Sequence, residues 1–169
     1  MLYHVSEEPD IVRFDPRPDP GSGQTGLMVW AIDDAHLHNY LLPRDCPRVT
    51  FYAQPDSHPD DVARLLCGTT ANYVVAIEAA WFAQVLNQTL YVYKFADDLF
   101  TVIDEGAGYH IAHQSVTAES VRQIDNLPAE LFRRNVELRV MPSLWKLRDV
   151  VAASSLQFSM IRMRNVGPR

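Results

Sequence analysis

Apolar residues in this 169-residue chain come in short runs broken by proline, glycine and acidic residues, and that punctuation limits the fold more than any other feature. The longest apolar stretches, such as residues 73–77, fall far short of the roughly 20 residues a membrane helix needs. Eight of the 11 prolines precede residue 60, so the N-terminal third is rich in turns. The elements must therefore be short strands and short helices. A chain this long buries about 70% of its unfolded surface, enough to fold as one domain without disulfides or metal.

Spacing places those elements. Leu2–Ser6 reads as a first strand, followed by a turn at Glu8-Pro9 and an extended piece over 11–14. Pro16, Pro18, Pro20 and the Gly21-Ser22-Gly23 triplet make 15–26 a loop, expected to be mobile. Residues 27–32 form a buried-type strand, after which Asp33 or Asp34 caps a short helix through Tyr40. Residues 49–53 are extended again, and Pro59 opens a helix whose Val62, Leu65 and Leu66 keep helical spacing. A strand over 73–77, a helix over 78–87 and strands over 90–95, 100–103 and 109–113 follow. Asn126 caps a further helix with Pro128 in its first turn. Val136, Leu138 and Val140 alternate with Glu137 and Arg139 as a half-buried strand should. A helix from Pro142 and a last strand over 158–163 complete a β-α-β unit. The reading is α+β: a single compact domain over 1–169 with a mixed sheet and short helices.

Charge excludes several functions. Fifteen basic against 21 acidic residues leave a net charge of −6, which disfavours general nucleic-acid binding and polybasic membrane attachment. Glu7 interrupts the N-terminus before any apolar signal core, so the expected location is the cytoplasm. Cys46 and Cys67 are too few for a disulfide framework or a four-cysteine zinc site. The balance is uneven: residues 139–169 carry a net +5 and residues 1–138 a net −11. Such a basic tail pairs with the acidic body or takes an anionic ligand.

Few side chains form a recognisable catalytic pattern. His36 and His38 lie about 200° apart around a helix and cannot chelate one metal. His110 and His113 point to opposite faces of a strand. No metal site is expected. Cys46 sits between Arg44 and Arg48, whose charges favour a thiolate, but a small residue buried in a proline-bracketed loop is the expected reading. That loop is expected to be pinned by acidic partners such as Asp33 or Asp45. Arg162 and Arg164 alternate on the last strand, so they either fork onto a phosphate or reach back to Asp33, Glu7 or Glu8. His4 shares one face of the opening strand with Ser6 and is the first histidine to single out. With Trp30 and Tyr52 it is expected to ring a cleft for a planar ligand.

Longer strings carry a resemblance. Tyr3-His-Val-Ser-Glu-Glu-Pro9, Val29-Trp-Ala-Ile-Asp33, Pro43-Arg-Asp-Cys-Pro-Arg-Val49, Pro142-Ser-Leu-Trp145 and Ile161-Arg-Met-Arg-Asn165 resemble an uncharacterised bacterial family, a domain of unknown function. The order of elements is also similar to the ADP-ribosyltransferase-like fold. There a His or Arg ends the first strand and orients NAD, a role His4 matches, and a later strand like Val49-Thr-Phe-Tyr-Ala53 carries a Ser, Thr or Tyr. Gly108 or Tyr109 stands where that fold has its catalytic Glu, so the usual catalytic Glu is not evident. The resemblance implies His4, Ser6 and Tyr109 as the catalytic set. Trp30 and Tyr52, with Arg44, Arg48, Arg162 and Arg164 for phosphate, would be the ligand-binding set. NAD, a nucleotide or another small anionic ligand is the implied partner. The alternative is a non-catalytic interaction module in which arginine and aromatic motifs are structural.

Overall fold

The computed structural model describes residues 1–18 and 26–169; residues 19–25, most of the loop expected over 15–26, lie outside the described residues. In chain order the strands are β1 (Leu2–Ser6), β2 (Arg13–Phe14), β3 (Arg17–Pro18), β4 (Leu27–Asp33), β5 (Arg48–Tyr52) and β6 (Tyr73–Glu78). They continue as β7 (Leu90–Phe95), β8 (Thr101–Asp104), β9 (Tyr109–Ala112), β10 (Val116–Thr117), β11 (Ser120–Ile124), β12 (Val136–Met141) and β13 (Gln157–Ile161). The helices are α1 (Pro59–Leu65), α2 (Phe82–Asn87), α3 (Leu127–Arg133) and α4 (Trp145–Ala152). The protein is α+β. Its chain folds into two compact units, Met1–Tyr40 with Thr89–Asp125, and Leu41–Gln88 with Asn126–Arg169.

The first unit is an antiparallel sheet in the order β11-β7-β1-β4-β9-β8, with β3 added to β4. Alternation along β1 sends Leu2, His4 and Ser6 to one face. There Leu2 joins Val29, Ala31, Tyr93, Phe95 and Ala112 in a core closed by Phe14 of β2 and Val116 of β10. The Phe14 ring lies about 5 Å from three rings, His4 at 5.0 Å, Tyr93 at 5.1 Å and Phe95 at 5.0 Å. Burying a side chain of that size stabilises by about 1.5–3 kcal/mol, with a further contribution from edge-on ring contacts. The hydroxyl of Tyr93 donates to Glu8 O at 2.8 Å and accepts from Ile11 N at 3.1 Å. A buried phenol thus satisfies the irregular backbone that carries β2 over the sheet.

The second unit is a mixed sheet in the order β12-β6-β5-β13. β12 runs parallel to β6, and β5 runs antiparallel to both β6 and β13. β12 and β13 therefore run the same way at opposite edges, and α4 makes the crossover of the expected β-α-β unit. Val49 and Phe51 from β5 and Val74 and Ala76 from β6 pack with Leu65, Leu144, Val151 and Leu156. Arg139 lies over Phe51, with its Cζ 5.5 Å from the ring centroid, while donating to Leu65 O and Glu137 Oε1. That guanidinium holds the Glu137 carboxyl below the usual carboxylate range.

Several boundaries differ from the sequence reading. The helix expected after Asp33 is a single 3-10 turn, Leu37–Tyr40. Glu78 ends β6 rather than opening a helix, because Ala79–Trp81 is a 3-10 turn and α2 begins only at Phe82. Pro59 opens α1 as expected, and His58 caps it by accepting from Asp60 N. The last strand stops at Ile161, since Arg162 takes a left-handed φ of 56° and residues 163–165 form a 3-10 turn. Arg162 and Arg164 therefore do not alternate on a strand. The Asn126 cap is as expected: its Oδ1 accepts from Ala129 N at 3.0 Å. Asn126→Ala removes that acceptor from α3 and should lower stability by about 1 kcal/mol in a urea melt, while Asn126→Asp should retain most of it.

Candidate functional site

The C-terminal end of β4 and the residue before β9 bring together a part-buried Asp–His pair. Asp33 Oδ1 accepts from the backbone N–H of His36 at 2.8 Å and lies 2.8 Å from His36 Nδ1. Both side chains are half-buried, 30% exposed for Asp33 and 16% for His36. One carboxylate oxygen thus shapes the turn after β4 and orients the imidazole, directing Nε2 away from the pair. Asp33 N in turn donates to Gly108 O at 3.0 Å. Gly108 has φ +71°, and a Cβ there would fall on His36 Nδ1 and 2.7 Å from Asp33 Oδ1. Only glycine fits, both in conformation and in space.

Tyr109 follows directly. Its hydroxyl pairs with that of Tyr40 at 2.7 Å, and its ring meets Trp30 edge-on at 5.7 Å and 89°. The indole Nε1 of Trp30 is buried and has no acceptor among the described residues.

The structure brings Trp30 and Tyr109 together but separates them from His4. Tyr3 pairs with Ile32, and Ile32 pairs with Tyr109, so Tyr3, Trp30, Ile32 and Tyr109 share one face. His4 and Ser6 project from the other. His4 Nδ1 lies 3.1 Å from the backbone oxygen of Trp30 and its ring packs on Phe14, which makes it a strand-bracing residue. Ser6 Oγ accepts from Glu8 N at 3.0 Å and turns the chain after β1. Of the three residues expected to ring one cleft, His4 and Trp30 project from opposite faces of the first unit's sheet, and the Tyr52 ring meets Tyr73 at 4.8 Å within the second unit.

The arginines expected to bind phosphate also lie in the second unit. Arg48 is buried, and its Nη1 donates to Pro43 O and Cys46 O, both at 3.1 Å. Arg162 Nε donates to Arg44 O at 3.2 Å and lies 3.7 Å from Asp45 Oδ1, while Asn165 Nδ2 donates to Asp45 O at 2.6 Å. Arg44 and Arg164 are exposed. Backbone carbonyls, more than the acidic side chains expected, hold the Pro43–Arg48 turn. Arg162 reaches this turn rather than Asp33, Glu7 or Glu8.

Two features escaped the sequence reading. One is the Asp33–His36 pair, visible only as an Asp-x-x-His spacing at a strand end. The other is Glu78, buried at the end of β6, whose carboxylate accepts from Leu144 N at 3.3 Å and Gly167 N at 2.9 Å.

Cys46 is fully buried, and burial pushes its thiol up from 9.0 to about 12, against the opposing pull of Arg48 and with a further push from Glu78. Desolvation wins over the guanidinium. Among the described residues no group of three or more His, Cys, Asp or Glu is placed to hold a metal ion, and no helix is long and apolar enough to cross a membrane.

Together these observations define an α+β protein with an Asp–His pair and an aromatic pair in one unit and internally tied arginines in the other. The chain belongs to a family of unknown function, DUF6886, whose model matches residues 3–166. No curated protein and no solved structure matches it.

Gly108→Ala should destabilise the protein by at least about 1–2 kcal/mol, the cost of a left-handed alanine, with the clash on Asp33 and His36 added; the urea midpoint measures it. A thiol reagent on the native protein at pH 8 should label exposed Cys67 rapidly and Cys46 only on unfolding. The unfolded Cys46 thiol ionises near its ordinary value and the folded one only near 12, so its contribution disfavours folding progressively as pH rises from about 9 toward 12.

Proposed function

We propose that this is a cytoplasmic protein whose first unit binds a nucleotide-type ligand, NAD or a simpler nucleotide, on the sheet face that carries Trp30 and Tyr109. The observation that carries this reading is the buried Trp30 N–H without an acceptor among the described residues. A buried donor left unpaired is unfavourable by about 1–3 kcal/mol, which a ligand carbonyl or phosphate oxygen accepting from it would recover. Two rings meeting edge-on, one with its hydroxyl tied to Tyr40, offer the amphipathic surface a planar base packs against. The resemblance to the ADP-ribosyltransferase-like fold supports the same ligand class, with Tyr109 at the position of the catalytic Glu. In this reading His4 and Ser6 serve the site indirectly, by bracing and ending β1.

A second reading, a non-catalytic interaction module, draws support from Arg48 and Arg162, whose guanidinium groups are spent on backbone carbonyls. A thermal-shift screen with NAD, ADP-ribose, ADP and AMP separates the two. A ligand at 100 times its Kd should add about 2.7 kcal/mol of stability. Trp30→Phe keeps a ring but deletes the N–H, and should weaken binding about 5- to 10-fold, the worth of about one hydrogen bond. No shift with any of the four compounds would leave the interaction module.

A further inference from the structure

We infer that β12 is a docking edge for a second copy of this chain, and that two copies join their β12 strands antiparallel about a two-fold axis at Leu138. Among the described residues β12 pairs with β6 alone and ends its sheet. Every second residue of such a strand sends its N–H and C=O away from the sheet, a template for another strand. Edges that must stay single are blunted by lysine, proline, a bulge or very short length. β12 has none of these: Val136–Met141 keeps an unbroken six-residue register with β6, and its one Glu and one Arg leave it neutral. Asn135, with φ 56°, and Pro142 bound the regular stretch on either side.

The residues of the strand select the occupant, because Val-Glu-Leu-Arg-Val over 136–140 is complementary to itself. Antiparallel pairing centred on Leu138 sets Leu138 against Leu138, Val136 against Val140, and Glu137 of each copy against Arg139 of the other. Directly opposed residues lie on the same face, with Cβ atoms about 4.5–5.5 Å apart. Within one copy Glu137 and Arg139 are joined at 2.6 Å on the face of Phe51, and they remain 33% and 27% exposed. In the pair each guanidinium gains a second carboxylate and each carboxylate a second guanidinium, a closed ring of alternating charge. On the other face Val140, 41% exposed, meets Val136 of the second copy. The remaining edges lack this symmetry. The same operation on β11 opposes Arg122 to Arg122, β8 is interrupted by a bulge between Val102 and Asp104, and β13 carries no charge to set a register. An edge of five residues is smaller than the roughly 1,200 Å² of a standard stable interface, so the dimer is reversible.

The test is sedimentation equilibrium of the full-length protein, without ligand, over a wide range of concentration. The expected result is a monomer–dimer equilibrium that weakens as salt screens the ring of charges. Glu137→Arg places four like charges on one face, and Val140→Lys puts a lysine on the edge. Each should raise the dimer dissociation constant at least about tenfold. A thermal melt of each variant shows that it folds, and the two substitutions act on opposite faces, so loss of dimer in either folded variant supports the pairing. Leu138 alone meets its own copy in this register. Leu138→Cys, made together with Cys67→Ser to remove the exposed native thiol, should therefore give a disulfide-linked dimer on mild oxidation. A monomer at every concentration overturns the inference and leaves this edge to a strand from a different protein. A dimer that both folded variants leave unchanged, or that Leu138→Cys does not lock, also overturns it and places the contact elsewhere on the chain.

Discussion

The approach of the Gly108 backbone to Asp33 and His36 fixes the end of the β4–β9 strand pair on which the first unit's geometry depends. Asp33 ends β4 and donates its N–H to Gly108 O, so the last hydrogen bond of that strand and the geometry of the pair are the same contact. Because residue 108 lacks a Cβ and accepts φ +71°, the Asp33 carboxylate can lie directly under the turn and still reach the His36 ring. The β4–β9 register follows, with Ile32 opposite Tyr109 and Trp30 opposite Ile111, and it sets Trp30 and Tyr109 edge-on on one face. Any residue but glycine would open this strand pair at its end, and the imidazole and both rings would lose their placement together.

The second unit has a different organising contact. Glu78 ends β6 with its carboxylate buried, and two backbone N–H groups converge on it, one preceding α4 and one from the C-terminal segment. A buried carboxylate is tolerated when charge-assisted hydrogen bonds replace its water. The same segment is tied again where Trp145 Nε1 donates to Gly167 O at 2.7 Å and where Arg169 lies over the Trp145 ring at 4.7 Å. Upstream, Arg162 and Asn165 clasp the backbone of Arg44 and Asp45. Three of the strings that stood out in the sequence, around Cys46, Trp145 and Arg162, thus meet within one unit, and they meet through backbone atoms. Their specificity as strings reflects this packing.

What the sequence made legible was periodic or local. The alternation over 136–140 became β12, the run over 90–95 became β7, and the Asn126-Leu-Pro cap opened α3, because each signal is complete within a few residues. β11 was missed because four of its five residues are exposed, so no apolar alternation marks it as a strand. Arg162 was misplaced because a left-handed arginine leaves no compositional trace. His4 was found on the right strand and face, yet its bond to the Trp30 carbonyl depends on pairing with β4, which lies far along the chain. The Asp33–His36 pair was half visible. Its spacing can be read locally, but Gly108, which packs against both side chains, comes from the turn before β9, far along the chain.

Charge distribution was legible in part for a related reason. A net +5 after residue 138 against −11 before it invites an expectation of pairing between tail and body, and the ion pairs meet it in part. Arg139 takes Glu137, Arg148 and Arg169 take Asp149, and Arg162 takes Asp45 and a backbone carbonyl. At about 0.1 M salt, charges more than about 10 Å apart are largely screened, and an exposed pair contributes only about 0–1 kcal/mol. A block of like charge therefore exerts little pull on the fold, and short-range geometry decides where each guanidinium goes. The same hierarchy explains Cys46, whose flanking arginines suggested a reactive thiolate. Arg48 does lower its proton affinity, but complete burial raises it further and the thiol stays protonated. In the second unit desolvation and backbone hydrogen bonding outrank net charge. Arg48, Arg139 and Arg162 are committed to backbone carbonyls of the fold, while Arg44 and Arg164 stay exposed.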